Sequence, residues 1–278
     1  MKRRWMAACA ALALMMGILG GCGSAQADSG NAAQDTEQSA GEEADLLDKI
    51  QEAGVLVVGT EGTYSPNSYH DENGDLAGFD VDVARGVAEH LGVDIQFVEA
   101  EWDSLFAGMD SGRVDIVVNE VECSDERAEK YDFSEPYTYV HGALLTAEDN
   151  TDITGFDTLA GRRAAQNLTS SWGQEAESCG AELVSVDAVA QGIELILSGR
   201  ADCMLNAETA FYDYMNKHPD TPVKIVATTD TTTSSRIPVP KGNERLVEAI
   251  DQALEEMRAS GELAALSERH FGADVTGE

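Results

Sequence analysis

The chain has 278 residues, of which 51 are acidic and 18 basic, giving a formal net charge of -33 with histidine neutral. A chain so acidic has no basic face to displace counterions from nucleic acid, so we exclude nucleic acid as a partner and ascribe the charge to solubility. The length is sufficient for two lobes or one large domain.

The chain begins with the pattern of a secretory signal. Three basic residues are followed by an uncharged apolar run over residues 5–21 and then by Cys22. Such a segment is removed on export, and a lone membrane anchor helix is the alternative. The tetrapeptide LGGC, residues 19–22, resembles a bacterial lipobox. That resemblance implies a signal peptide over residues 1–21 and a lipid on the Cys22 thiol.

Residues 22–45 are rich in Ala, Gly, Gln and acids and contain no Lys or Arg. This composition cannot bury a core, so we expect a disordered acidic tether. A lipid and a tether would hold the folded part at the outer face of the cell membrane while it works in water. Cys123, Cys179 and Cys203 lie beyond the tether, and we expect mostly buried, unpaired thiols with at most one pair.

From residue 55 onward, short apolar strands alternate with amphipathic helices. VLVVGT (55–60), DIQFVEA (94–100) and VDIVVNE (114–120) predict strands, and GFDVDVARGVAEHLG (78–92) and WDSLFAGMDSG (102–112) predict helices. Phe79, Val83, Val87 and Leu91 would share one face of the first helix, which Gly92 ends. The alternation predicts an α/β fold with a parallel sheet between helices.

The same pattern then starts again. RRAAQNL (162–168), ELVSVD (182–187), ADCMLNAE (201–208) and KIVATT (224–229) predict strands. SWGQEAESCG (171–180), DAVAQGIELILSG (187–199) and ETAFYDYMNKH (208–218) predict the helices between them, and residues 242–272 predict a long amphipathic helix and a short one. The sequence therefore predicts two α/β units.

Each unit contains one copy of a near-repeat. SGRVDIVVNE begins at Ser111 and SGRADCMLNAE at Ser198, in each case between a helix and a strand. Ser-Gly-Arg taken alone is explained as a helix-to-strand turn with Gly at the helix end. Ligands bind at the carboxyl ends of parallel strands, so we expect the polar ends of both strands to face one cleft.

The sequence has no recognisable catalytic or metal spacing. G-x-S-x-G, a Walker-type glycine loop, H-E-x-x-H and C-x-x-C are all absent, and the five histidines are scattered. We therefore predict a protein that is not an enzyme and has no cofactor and no metal site.

Several residues at predicted strand ends are suited to binding. Tyr64 and Trp102 could sandwich a small ligand, or could be ordinary core or rim aromatics. Arg127 could hold a carboxylate through two hydrogen bonds, or could be a surface arginine among acids. The hydroxyls of Thr169 and Ser170 could receive an anion at a helix N-terminus while also capping that helix.

GFDVDVARGVAEHL, residues 78–91, resembles the signature of the bacterial extracellular solute-binding proteins that carry polar amino acids to ABC transporters. The resemblance extends through residues 62–80, 102–117, 124–139 and 180–202, and covers nearly the whole chain after residue 46. Residues 166–178 and 210–227 are most similar to the branch that binds cystine or related amino acids.

The resemblance implies a two-lobed, type II periplasmic-binding-protein (Venus flytrap) fold, each lobe a mostly parallel sheet flanked by helices. Lobe 1 would comprise residues 46–140 plus 236–275, and lobe 2 residues 145–229. The chain would cross the hinge near residues 139–146 and 229–235.

The resemblance also implies ligand contacts. Tyr64 and Trp102 would pack on the ligand and Arg127 would pair with its α-carboxylate. The backbone around Val121 and Glu122, with Thr169 and Ser170 across the cleft, would complete the carboxylate and ammonium contacts.

One position departs from the family pattern. Ala207 stands where an acidic residue commonly binds the α-ammonium, and an unpaired buried ammonium costs several kcal/mol. Glu208, Glu122 and Glu120 are the candidates to replace it, and we favour Glu122 because it belongs to the segment expected to line the cleft.

The function implied is an extracytoplasmic lipoprotein of an ABC importer. It would capture cystine or another polar amino acid by lobe closure and pass it to the permease, and we expect a monomer. One alternative is a small-carboxylate dehydratase on the same scaffold, with Glu120 and Glu122 as acid or base. The other is a ligand-sensing module for a membrane receptor.

Overall fold

The computed structural model describes residues 45–277, so the predicted signal peptide, Cys22 and nearly all of the tether lie outside the described residues. The helices are α1 Leu46–Ala53, α2 Phe79–Leu91, α3 Trp102–Asp110, α4 Asp125–Lys130, α5 Ser171–Ser178, α6 Val189–Leu197, α7 Glu208–Lys217, α8 Glu244–Ser260 and α9 Glu262–Phe271. None of them is both long enough and apolar enough to cross a bilayer.

The strands are β1 Val55–Thr60, β2 Thr63–Tyr64, β3 Ser68–His70, β4 Leu76–Ala77, β5 Asp94–Glu99, β6 Ile116–Val117, β7 Tyr131–Phe133, β8 Thr138–Ala147, β9 Arg163–Gln166, β10 Glu182–Ser185, β11 Cys203–Ala207, β12 Val223–Ser235 and β13 Pro238–Pro240. The helices and main strands predicted from the sequence are present. The short elements α1, α4, β2–β4, β7 and β13 were not predicted. The strands among them have only two or three residues, which are too few positions to show a period.

The first lobe is built on a parallel sheet with the strand order β5-β1-β6. Helix α2 packs on it through Phe79, Val83 and Val87, which are fully buried with Leu246 of α8. These apolar positions recur at helical spacing, which explains why this segment folds as a helix with one buried face. Its end at Gly92, in the left-handed conformation at φ 72°, was also predicted.

The second lobe is built on a five-stranded mixed sheet with the order β10-β9-β11-β8-β12. Strands β10, β9 and β11 are parallel, as predicted, whereas β8 pairs antiparallel with β11 on one side and with β12 on the other. Two apolar clusters cover the sheet, one including Ile193 and Phe211, the other including Leu159 and Leu205. The described residues therefore form two α/β lobes, which is the architecture that the sequence predicts.

Strands β8 and β12 are the long pair through which the chain enters and leaves the second lobe. They pair from Thr138 opposite Ser235 to Ala147 opposite Val223, with register shifts between Ile225 and Ala227 and between Thr228 and Thr232. The predicted hinge crossings at 139–146 and 229–235 fall within this pair. Their action as a hinge stays a prediction.

The repeated Ser-Gly-Arg turns have the same backbone geometry. Gly112 and Gly199 are left-handed, with φ of 67° and 68°. In each copy the arginine N–H returns to a helix carbonyl at 2.8 Å, from Arg113 to Gly108 and from Arg200 to Leu195. Only glycine adopts this conformation readily, so it is what lets each helix turn directly into a strand.

The aspartate after each turn fastens the new strand to its neighbour. The Asp115 carboxylate accepts from the Val57 N–H at 2.8 Å, and the Asp202 carboxylate accepts from the Arg163 N–H, also at 2.8 Å. The repeat is therefore a structural unit that sets strand register in both lobes.

The three cysteines in the described range are free. Cys203 is buried and Cys179 partly buried, but Cys123 is exposed. The expectation that the thiols are mostly buried is thus wrong for Cys123. It stands in the loop between β6 and α4, whose apolar neighbour Val121 faces the core instead.

Candidate functional site

A cavity lies between the two lobes at the carboxyl ends of the parallel strands. Its volume is about 80 Å³, and one water needs about 10–15 Å³, so it suits a small solute. It is lined by Glu61, Thr63, Tyr64, Trp102, Asn119, Glu120, Glu122, Val140, Gln166, Asn167, Ser170, Ser171, Trp172, Val186, Asp187, Ala188, Val189, Met204, Asn206, Thr233 and Ser235. Because Asn119, Glu120 and Asn206 are among these residues, both Ser-Gly-Arg units face one cavity, as the repeat predicts.

The lining is acidic. Glu61, Glu120 and Glu122 from the first lobe and Asp187 from the second contribute carboxyl groups, and no described lysine or arginine lines the cavity. Such a wall favours a ligand with a positive group, since opposite charges in a partly dry site attract strongly.

Glu61 directly follows β1 and is held by Asn119, two residues after β6. The Asn119 side-chain amide donates to the Glu61 carboxylate at 2.6 Å. Burial raises the pKa of Glu61 to about 7, with Asp187 across the cleft adding to the increase. A cation between these two carboxyl groups would lower that pKa again.

Glu120 has an unusual backbone conformation. It is the one non-glycine residue with positive φ, at 49°, within residues 45–277. This conformation costs about 1–2 kcal/mol for a residue with a side chain, and such costs concentrate at functional sites. Its carboxyl group contacts the Tyr64 hydroxyl, which is also 2.7 Å from Asn206 Oδ1 in the second lobe. Burial raises the pKa of Glu120 to about 7.

Arg127 is placed by α4, whose N-terminus is capped by Ser124. Its guanidinium donates to the Glu122 carbonyl at 2.9 Å, the Ser171 hydroxyl at 3.1 Å and the Thr169 carbonyl at 3.1 Å. It also stacks 5.2 Å from the Trp102 ring centre. With 9% exposure, Arg127 is a buried cation that connects the two lobes beside the cavity, not a surface arginine.

The segment after β6 is fastened to the end of β12. Glu122 forms a β-bridge with Ser235, and the Val121 carbonyl accepts from the Arg236 N–H at 2.8 Å. This pairing explains why Glu122 points its side chain into the cavity lining while Val121 is fully buried.

The structure brings only some of the predicted site residues to the cavity. Tyr64, Trp102, Glu120, Glu122 and Ser170 line it, and Arg127 contacts residues that do. Val121, Thr169, Ala207 and Glu208 do not line it. Thr169 is exposed, where its hydroxyl donates to Asp103 of the first lobe, and Ser170 caps α5 through the Gly173 N–H at 3.0 Å.

Sequence reasoning missed several lining residues. Glu61, Gln166 and Asp187 each follow or end a strand, and Trp172 lies in the first turn of α5. The rule that used strand ends to select Tyr64 would also have found Glu61 and Asp187. Ala207 was thought to vacate an essential position, but it is the adjacent Asn206, with Met204 of the same strand, that lines the cavity.

Comparisons with known proteins agree with this architecture. A sequence model described as "Bacterial extracellular solute-binding proteins, family 3" matches residues 56–273. The chain is 40% identical to a probable amino-acid ABC transporter-binding protein of Haemophilus influenzae, over 84% of this chain and 90% of that protein. It is 38% identical to the L-cystine-binding protein TcyA of Bacillus subtilis, over 96% and 98% of the two chains.

Solved structures give the same result. An ancestral arginine-binding protein bound to arginine is 33% identical, with a TM-score of 0.74 over 79% of this chain and 99% of that chain. The unliganded, open L-cystine solute receptor of Neisseria gonorrhoeae is 43% identical, with a TM-score of 0.58 over 84% and 99%.

An ancestral amino acid-binding protein, AncCDT-1, described as a precursor of cyclohexadienyl dehydratase, is 30% identical, with a TM-score of 0.75 over 82% of this chain and 100% of that chain. The fold, the cavity between the lobes and the match over residues 56–273 lead to one conclusion. The chain belongs to the bacterial extracellular solute-binding proteins of family 3.

Proposed function

We propose that this protein captures an α-amino acid, cystine or another polar one, between its lobes and delivers it to an ABC permease. The observation that carries the proposal is the pairing of a buried arginine, Arg127, with an acidic cavity, because an α-amino acid presents a carboxylate and an ammonium together. The cystine- and arginine-binding relatives support this ligand class.

Arg127 is the proposed partner of the ligand carboxylate. Three of its five N–H donors bond to Glu122, Ser171 and Thr169, which leaves Nε–H and one Nη2–H without a partner among the described residues. Adjacent guanidinium donors match the two oxygens of a carboxylate. Ser170 and the first amide groups of α5 would add to this site.

Aromatic and acidic groups would hold the rest of the ligand. Tyr64 and Trp102 line the cavity, and the Trp102 indole N–H is buried without a partner among the described residues. Glu122 is the proposed group for the ammonium, because it lines the cavity whereas Glu208 does not. Glu61 and Asp187 would add negative potential near the ligand side chain.

We also propose that the protein is a monomer held at the outer face of the membrane by a lipid on Cys22, once residues 1–21 are removed. Labelling with a radioactive fatty acid tests the anchor. The label should enter the wild type and not Cys22→Ala, which should be released into the medium. Equal labelling of the two forms would contradict lipid attachment at Cys22.

A thermal-shift screen of the common amino acids and cystine tests the proposed function. A ligand that binds only the folded state raises stability by RT ln(1 + [L]/Kd), which is about 2.7 kcal/mol at a concentration of 100 Kd. One or a few α-amino acids should raise the melting temperature, and the matching amino-acid amides and N-acetyl derivatives should not. Equal shifts with the amides would contradict carboxylate recognition by Arg127.

A dehydratase acting on a small carboxylic acid is the second candidate, favoured by the likeness to AncCDT-1. Glu120 would be its acid, since a carboxyl group with a pKa of about 7 can donate a proton near neutrality. Incubating a bound carboxylate and following product by mass spectrometry separates the two functions. Tight binding without turnover supports transport.

A further inference from the structure

A chain of hydrogen-bonding groups crosses the cleft beside the ligand cavity. The Tyr64 hydroxyl lies between the Glu120 carboxyl group, in its own lobe, and Asn206 Oδ1 of β11, at 2.7 Å, in the other. This hydroxyl therefore links the two lobes. The number of protons available for its two contacts determines the protonation state of Glu120.

A tyrosine hydroxyl carries one proton, yet Tyr64 contacts two oxygens. Asn206 Oδ1 is fixed as an acceptor, because it also accepts the Ala207 N–H at 2.8 Å. If Tyr64 donates to Asn206, the contact between Tyr64 and Glu120 needs a proton from the carboxyl group. If Tyr64 donates to Glu120 instead, two bare oxygens meet across the cleft. The chain is complete only with Glu120 as a carboxylic acid.

The surroundings of Glu120 favour that acid form. Asp80 of α2, Tyr137 directly before β8 and Tyr64 of β2 face it, and Tyr137 donates to Asp80 at 2.9 Å. Burial raises the pKa of the Tyr64 hydroxyl, and the nearby carboxyl group of Glu61 adds to that increase. Burial is the main cause that raises the pKa of Glu120 to about 7, and no described lysine, arginine or histidine opposes it.

We propose that lobe closure takes up one proton on Glu120, which then acts as a positioning residue that holds the Tyr64 hydroxyl on Asn206 across the cleft. This inference rests on the proposed function, because ligand capture is what closes the lobes. Opening would separate Tyr64 from Asn206 and expose Glu120 to water, so the proton would leave with the ligand. Capture is therefore stronger in more acidic surroundings.

Isothermal titration calorimetry measures this uptake directly when the same titration is made in buffers of different ionisation enthalpy. The probes are L-cystine and L-arginine, with the purified wild-type chain at pH 6 and pH 8. For a carboxyl group that moves from its ordinary pKa to about 7 on closure, uptake should be about 0.9 proton at pH 6 and about 0.1 at pH 8. The affinity should fall about tenfold between these pH values. No uptake at pH 6 would overturn the proposal.

Glu120→Gln tests the assignment, because its amide can donate to Tyr64 but cannot titrate. The variant should lose the uptake and show less than a threefold change in affinity between pH 6 and pH 8. Glu126→Gln, an exposed carboxyl group on α4, is the matched control and should keep the wild-type uptake. Uptake that persists in Glu120→Gln would place the proton elsewhere and refute the proposal.

A measurement without ligand separates failure of this inference from failure of the proposed function. If neither probe binds, the infrared band of a protonated carboxyl group at pH 6 reads Glu120 in the ligand-free chain. Because Glu120 of the open chain should be ionised at pH 6, the wild type and Glu120→Gln should give the same band. A band that is stronger in the wild type would show that Glu120 holds its proton without closure, and would overturn the inference independently of any ligand.

Discussion

Replacing Arg127 with alanine should nearly abolish amino-acid binding. The guanidinium makes two hydrogen bonds across the cleft, to Ser171 and to the Thr169 carbonyl, both at 3.1 Å. Hydrogen bonds from a charged donor contribute about 1.5–3 kcal/mol each. The proposed bond to the ligand carboxylate would be lost as well. Breaking a buried pair costs about 3–5 kcal/mol, which corresponds to at least a hundredfold weaker binding.

Calorimetric titration of the ligand found in the amino-acid screen is the assay, with circular dichroism to confirm that the variant is folded. Arg127→Lys keeps the charge but loses the planar fork, so its affinity should fall between those of the wild type and the alanine variant. Arg113→Ala removes an exposed arginine from the Ser-Gly-Arg turn and should leave the affinity unchanged. A loss of less than threefold in Arg127→Ala would refute the role of Arg127.

Three further predictions follow from contacts near the cleft. Lys217 donates to the Ser65 hydroxyl across the cleft at 2.7 Å. Such an exposed contact contributes about 1 kcal/mol or less. Lys217→Ala should therefore release ligand up to about fivefold faster in stopped-flow measurements. A Cβ on Gly142 would lie 2.6 Å from the Trp172 ring, so Gly142→Ala should cost about 1–3 kcal/mol of stability in thermal unfolding, as overpacking does. The raised pKa of Glu61, about 7, means that the folded state binds more protons than the unfolded state. Stability should therefore fall between about pH 4.5 and 7, by at most about 3 kcal/mol, and Glu61→Gln should reduce that fall.

The parts of the fold that were predicted correctly depend on local sequence. Phe79, Val83 and Val87 recur at helical spacing, and Gly112 and Gly199 end helices where only glycine fits easily. Both signals lie within one or two turns of chain, so no distant contact is needed to interpret them. The antiparallel addition of β8 and β12 to the second sheet was not predicted, because it depends on where the chain passes between the lobes.

The site was predicted only in part, because it is assembled from distant segments. Glu61 follows β1, Gln166 ends β9 and Asn206 lies in β11, so these lining residues are distant in sequence and meet only in the folded chain. Acidic residues are so numerous in this chain that the sequence alone does not show which of them are buried. Thr169 was placed correctly before α5, but its carbonyl, not its hydroxyl, faces Arg127. The prediction at β11 was likewise one residue away, because Ala207 points inward and its neighbour Asn206 faces the cavity.

Closure of the two lobes around an amino acid is the central claim, and small-angle X-ray scattering tests it most directly. Hydrogen bonds connect the two lobes across the cleft, between Tyr64 and Asn206, Arg127 and Ser171, and Lys217 and Ser65. Adding a saturating amino acid should therefore reduce the radius of gyration toward the value for the closed arrangement described for residues 45–277. An unchanged radius of gyration, with calorimetry confirming that the ligand is bound, would contradict capture by lobe closure.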